Sequence, residues 1–242
     1  LGDFLHNSKD EAAKWDRVVM VQCVGSRNEE NPNCSRICCQ GAVKYALQLK
    51  DLNPDMDVVI LYRDMRTYGF LEDFYREARD QGVLFSRFDP DNLPQVNNDN
   101  GQLSVTFVDH VLGRPVNMAV DAVVLSAGAR ANDTEELASL LKLPRNAGGF
   151  FIEAHAKLRP VDFASEGIFL CGMAHSPKLI SESSAQAMAA AARAGAFLAD
   201  VNQTISGVTA HVEPDRCAAC LVCVRTCPYG VPQINRENVS EI

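Results

Sequence analysis

The chain has 242 residues, 47% of them hydrophobic, and a formal net charge of −8. That is enough apolar material for one or two buried cores, while the acidic balance speaks against nucleic acid as a partner, since phosphate binding needs a basic face. No apolar stretch reaches the roughly 18 residues of a membrane helix; the longest, 185–199, is alanine-rich and broken by Arg193 and Gly195, so no direct membrane span is expected.

Residues 1–15 carry no clear pattern and read as the remnant of an upstream region. Residues 16–25 (DRVVMVQCVG) are a β-branched apolar run ending in glycine, the mark of a buried strand. A polar loop over 26–33 follows, then helical spacing over 34–49 closed by Asn53-Pro54, then a second strand over 57–62. Strand, helix and strand in this order make a βαβ unit and open a doubly wound parallel sheet, hence an α/β fold class. A helix over 69–81 places Phe70, Leu71, Phe74, Tyr75 and Ala78 on one face, and Gly82 ends it before a short strand at 83–85. Turn-rich residues 97–101 precede two alternating segments, 103–108 and 115–120, that read as a hairpin. Buried strands are expected again at 121–128 and 168–172, a long alanine-rich helix at 181–201, and a link over 203–215.

The link leads to Cys217, Cys220, Cys223 and Cys227-Pro228, spaced C-x2-C-x2-C-x3-C-P. This is the spacing of a bacterial ferredoxin loop, in which three thiolates serve one [4Fe-4S] cubane and the fourth, before proline, serves a second. Paired C-x2-C steps also hold zinc, but zinc knuckles are usually separated by a longer gap. A disulfide framework fits poorly, because there is no secretory signal and nine cysteines is an odd and modest number for a chain of this length. Thiolate ligands point instead to a reducing, cytoplasmic setting. The chain starts at Leu1 and stops at Ile242, where a second ferredoxin half would begin. A piece of a longer polypeptide is expected, with the fourth ligand of the Cys217/Cys220/Cys223 cubane beyond Ile242 and Cys227 serving the other cubane.

Four more cysteines lie at the first strand–helix junction. Cys23 ends the strand, Cys34 and Cys38 are one helical turn apart, and Cys39 sits beside them. Buried cysteines often pack as small hydrophobes, and a catalytic dithiol is a further alternative. Four within 17 residues at the mouth of a βα loop favour one four-thiolate metal cluster, helped by the free N–H groups of a helix start. The glycines that let a pyrophosphate approach this turn are absent, so a cluster is expected in place of the dinucleotide, with no nicotinamide at the usual site.

Two resemblances follow from these residues. The order of elements, with Tyr62-Arg63, AVVLSAGA at 122–129 and IFLCGMAH at 168–175, resembles thioredoxin reductase-like flavoproteins. The wording CVGSR at 23–27, CSRICCQGAVKYAL at 34–47, LYRDMRTYG at 61–69 and the ferredoxin run resembles HdrA, the iron–sulfur flavoprotein of heterodisulfide reductase, and its bacterial relatives, over nearly the whole chain. The resemblance implies a thioredoxin reductase-like fold with a small C-terminal ferredoxin-like half domain. It divides the chain into 16–128, an α/β unit carrying a cluster; 129–202, the C-terminal part of an FAD-binding domain; and 203–242, part of a ferredoxin-like domain.

It also implies an oxidoreductase subunit that passes electrons between FAD and several [4Fe-4S] clusters, the flavin being shared with a region upstream. In the family's best-understood complexes the flavin bifurcates electrons between a high-potential and a low-potential acceptor, a property set by flavin half-potentials. Partners would be other redox subunits, with a hydrogenase or dehydrogenase as donor and a disulfide- or quinone-linked acceptor. Cys23, Cys34, Cys38 and Cys39 would hold a cluster near the flavin, and Lys44 matches a family lysine expected at the ring, where a cation favours anionic reduced flavin. Gly172, Met173 and His175 stand where such flavoproteins carry a Gly-Asp pair on the ribityl chain, with Met in place of Asp. Ser181, Glu182 and Ser183, at the next helix start, would face the N1/O2 edge. Two other readings stay open: an NAD(P)H-dependent flavoprotein disulfide reductase, and a non-enzymatic module that only wires other subunits together.

Overall fold

The computed structural model describes residues 1–199, 210–227 and 230–242. Its elements in chain order are α1 (Gly2–Asn7), α2 (Lys9–Ala12), β1 (Arg17–Val24), α3 (Cys38–Leu52), β2 (Asp57–Tyr62), α4 (Leu71–Asp80), β3 (Leu84–Arg87), β4 (Gln95–Asp99), β5 (Gln102–Asp109), β6 (Arg114–Val120), β7 (Ala122–Ala127), α5 (Glu135–Leu141), α6 (Ile180–Ala199), α7 (Val222–Thr226), β8 (Gln233–Ile234) and β9 (Ser240–Glu241).

The expected parallel sheet is present, in the order β3-β2-β1-β7. Its central strands are apolar at nearly every position because both faces are covered. Val18, Met20, Val58 and Ile60 face Ala42, Val43, Ala46 and Leu49 of α3 and Ala78 of α4. Val19, Val21, Val59 and Leu61 face Val105, Phe107 and Val120 of a three-stranded antiparallel sheet, β4-β5-β6. The layers are therefore helices, parallel sheet and antiparallel sheet. Residues 1–15 pack on the α3 core: Leu5 and Ala12 are buried in it, and Phe4 stacks on Trp15 at 5.1 Å.

Local physics moves several expected boundaries. α3 starts at Cys38 rather than at 34, because Arg36 takes a left-handed φ of 58° that no helix interior accepts. The turn-rich stretch 97–101 contains most of β4, a polar edge strand that turns into β5 through Asn100 and Gly101, both at positive φ. Residues 168–172 do not form a strand. Asp162 and Phe169 make one isolated bridge, and a 3-10 turn over Gly172–Ala174 follows, because this apolar run packs in a small separate core with Ala138, Phe151 and Phe163 instead of joining a sheet. The helix expected over 181–201 is observed as α6 up to Ala199; its further end and most of the 203–215 link lie outside the described residues.

Candidate functional site

The first cysteine set sits at the carboxyl end of the parallel sheet, where open α/β sheets bind their ligands. Cys23, next to last in β1, takes a left-handed conformation, φ 62°, and the β1/β7 register shifts between Val21 and Val24. This bulge adds one residue to β1 before Val24 pairs again with Ala127. Gly25 follows at φ 65°, and Gly128 lies so close that a Cβ there would stand 2.6 Å from the Gly25 carbonyl oxygen. The loop back to α3 is tied down: Asn31 Nδ2 donates to the carbonyls of Gly25 and Ala129, Ser35 Oγ accepts from the Ala129 N–H at 2.7 Å, and Arg27 pairs with Asp64 at 2.6 Å. These ties bring Cys34 back towards Cys23.

The four thiols lie near enough to sense one another's charge. Burial, then the charges of Cys38 and Cys34, push the Cys23 thiol up, against a hydrogen bond from Arg27. Cys38 donates to Cys39 and is raised by that bond and by burial; Cys39, the acceptor of the pair, is lowered. Cys39 Sγ is 3.7 Å from the Asp64 carbonyl oxygen, and Cys34 Sγ accepts from the Arg36 N–H at 3.3 Å. Among the described residues no three His, Cys, Asp or Glu side chains converge as on a single metal ion. A cubane spreads its ligands wider than one ion does, and four thiols match the number and chemistry of the donors that a [4Fe-4S] cluster takes. Buried polar atoms without partners support the fit: Gln22 immediately precedes Cys23, and Gln40 immediately follows Cys39.

A groove of about 870 Å³ runs from α3 to the start of α6, lined among others by Gln40, Lys44, Phe74, Met173, Lys178 and Ser183. Its apolar walls and polar rim suit a planar heteroaromatic ring such as a flavin. Lys44 is exposed on the α3 wall, with its Nζ 5.6 Å from the centre of the Tyr45 ring. Met173, 46% exposed, lines the groove. Gly172 has φ 65°, and its N–H is taken by Gln186 Oε1 at 2.8 Å. Ser181 and Ser183 line the groove, whereas Glu182 turns back as a cap. Its carboxylate accepts from the Leu179 N–H at 2.8 Å, pairs with Arg36 at 2.7 Å and accepts from the Tyr68 hydroxyl at 3.0 Å. This links the cysteine loop to the α6 start.

His175 does not line the groove. Its Nε2 is 2.8 Å from Glu153 Oε2, and its Nδ1 is 2.9 Å from Lys178 Nζ and 3.0 Å from Gln186 Nε2. Lys178 Nζ also donates to Gln186 Oε1 at 2.7 Å. Lys178 is only 8% exposed, and burial, then the charge of Arg36, lower its pKa. Glu153 is held below the usual carboxylate range by its own backbone N–H and by His175 and Lys178, against burial. This hydrogen-bonded chain, half-buried except at Lys178, ends on the groove wall. Sequence spacing singles out His175 alone, because Glu153 and Gln186 reach it only in the fold.

The terminal cysteines sit in a separate small fold. Ala219 and Leu221 take positive φ, curling the run so that α7 follows Leu221 directly. The β8–β9 hairpin folds back on it: the Ser240 N–H donates to Cys217 Sγ at 3.3 Å, and Ser240 Oγ is 3.2 Å from Cys223 Sγ. Backbone N–H groups of Ser240 and Ala219 lower the Cys217 thiol pKa, which favours the thiolate a cluster needs. Cys220 is exposed and Cys227 half-buried. No helix among the described residues is long and apolar enough to cross a membrane.

No family model matches the chain. A heterodisulfide reductase HdrA-like protein of Archaeoglobus profundus is 38% identical over 233 residues, 95% of this chain and 33% of its own. The HdrA component of the ferredoxin:CoB-CoM heterodisulfide reductase of Methanosarcina acetivorans is 37% identical over 238 residues, 96% of this chain and 29% of its own. Lactococcus lactis thioredoxin reductase superposes with a TM-score of 0.50 at 18% identity, over 79% of this chain and 56% of that one, and shares the fold. The chain thus has a thioredoxin reductase-like α/β fold and spans about a third of the length of the HdrA relatives that it matches. Across that third, this chain is a homologue of the HdrA component of heterodisulfide reductase.

Proposed function

We propose that this chain is the cluster-bearing, flavin-facing part of an electron-transferring subunit of a heterodisulfide reductase-like complex, an oxidoreductase working in the cytoplasm beside other redox subunits. One observation carries the reading: a four-thiol loop and a ring-sized groove share the N-terminal half of α3, with Cys38 and Cys39 at its start and Lys44 on the groove wall. Cys23, Cys34, Cys38 and Cys39 would hold a [4Fe-4S] cluster, and Cys217, Cys220, Cys223 and Cys227 would serve terminal clusters. FAD bound in the groove would supply the exchange between two-electron and one-electron chemistry.

The chain's own residues then have defined tasks. Lys44 places a cation on the groove wall, favouring a negatively charged ring. Lys178, His175 and Glu153 form a hydrogen-bonded line that ends at the groove, with the Glu153 carboxylate at its far end. Arg36 and Glu182 fix the cysteine loop to the α6 start, which keeps the cluster and the groove in register. The test is iron, acid-labile sulfide and EPR analysis of the full-length protein with and without Cys38→Ser. The substitution should remove one cubane signal and leave the others; an unchanged cluster content would overturn the assignment.

A further inference from the structure

Among the described residues, the buried side-chain polar atoms that lack a hydrogen-bond partner belong to Gln22, Gln40 and Arg63. Two are chain neighbours of the Cys23 site's cysteines, and the third reaches it through one hydrogen bond. Gln22 precedes Cys23, Gln40 follows Cys39, and Arg63 Nη1 donates to the carbonyl of Arg27, whose side chain is hydrogen-bonded to Cys23. Gln22 is the extreme case: it is 1% exposed, and both Nε2 and Oε1 are without a partner. Buried amides are almost always satisfied, because the alternative is costly.

Strand alternation places Gln22 on the face of Val18 and Met20, the face covered by α3. Everything else on that face of β1 is apolar, so leucine or methionine would suit the packing better. The polypeptide itself supplies no acceptor for the N–H groups of this carboxamide. Cys39, at the start of the helix over this face, and Cys23, the next residue in the strand, put the cluster there.

We propose that the Gln22 carboxamide donates an N–H···S hydrogen bond to the cluster held by Cys23, Cys34, Cys38 and Cys39, and raises its reduction potential. This rests on the cluster assignment made above. One-electron reduction adds one negative charge to the cluster, a hydrogen-bond donor favours that more negative state, and hydrogen bonds to sulfur are among the levers that set such potentials. A turn about the terminal bond presents Nε2 to the sulfur from either starting orientation. Gln22 is in this sense a tuning residue; it neither ligates iron nor exchanges electrons.

The experiment is an EPR-monitored redox titration of the full-length holoprotein, following the signal that Cys38→Ser removes. In Gln22→Leu the iron and sulfide content should stay the same, while the reduced-to-oxidised ratio at a fixed potential falls about tenfold, a midpoint shift of roughly 59 mV downwards for one electron. An unchanged midpoint with the cluster present overturns the proposal. A second measurement needs no variant: ¹⁵N-glutamine labelling of the parent protein should give a nitrogen hyperfine coupling on the same signal, and its absence overturns the proposal even where Gln22→Leu does not fold. A Cys38→Ser protein that keeps every signal instead overturns the cluster assignment, so the two failures are distinct.

Discussion

Glu182 holds three different partners, and the balance among them has a measurable acid dependence. Burial pushes its carboxyl up, but the Leu179 N–H, the Tyr68 hydroxyl and the Arg36 guanidinium together outweigh that and hold it below the usual range. A carboxylate with a depressed folded-state pKa stabilises the fold fully above its unfolded value, about 4.3 for glutamate, and loses that contribution as pH falls through the depressed value. Glu182→Gln should therefore flatten the acid limb of the stability curve, read as Tm against pH. The pair is partly exposed, so the change should be small. An acid limb identical to the parent's would show that the cap contributes nothing. Lys178 runs the other way: its pKa is lowered, so its charged form is the disfavoured one in the fold.

Secondary structure elements decide how closely the thiols gather, and the junction of β1 with β7 is the tightest point. Gly128→Ala should be costly because the new Cβ would meet the Gly25 carbonyl carbon and oxygen, which are backbone atoms with little room to yield. The substitution is expected to lower unfolding stability by about 1–3 kcal/mol and to weaken cluster retention, both measurable by denaturant titration with iron analysis. Equal midpoints for variant and parent would contradict the close approach.

The βαβ core was legible in the sequence because Val18–Val21 and Val58–Leu61 are apolar on both faces, which only a covered parallel strand requires. β4 was not, because every one of its residues is exposed and its pairing with β5 depends on backbone alone. The run at 168–172 misled for the opposite reason: its apolar residues fill a satellite core without a strand neighbour. At the site, cysteine spacing announced the thiols. Gln22, Lys178 and Glu153 stayed silent, since an unpartnered amide or a buried cation is defined by tertiary surroundings.

At the scale of the whole molecule, the two cysteine sets belong to structures with separate supports. The first hangs on the parallel sheet and α3, the second on its own hairpin through Ser240. Cys217→Ser should then abolish a terminal cubane while preserving the signal lost in Cys38→Ser, as judged by EPR of the two variants and their combination. Loss of both signals from either single substitution would show that the sets depend on each other.

Cys23 invites a different kind of accounting. A left-handed backbone costs a side chain with a Cβ about 1–2 kcal/mol, a cost that glycine avoids. Cys23→Gly should accordingly make the cluster-free protein sturdier, by about 1 kcal/mol in chemical unfolding, while leaving it unable to carry the cluster. The polypeptide alone would be better off without the thiol. If Cys23 holds the proposed cluster, the strained conformation trades backbone stability for a ligand.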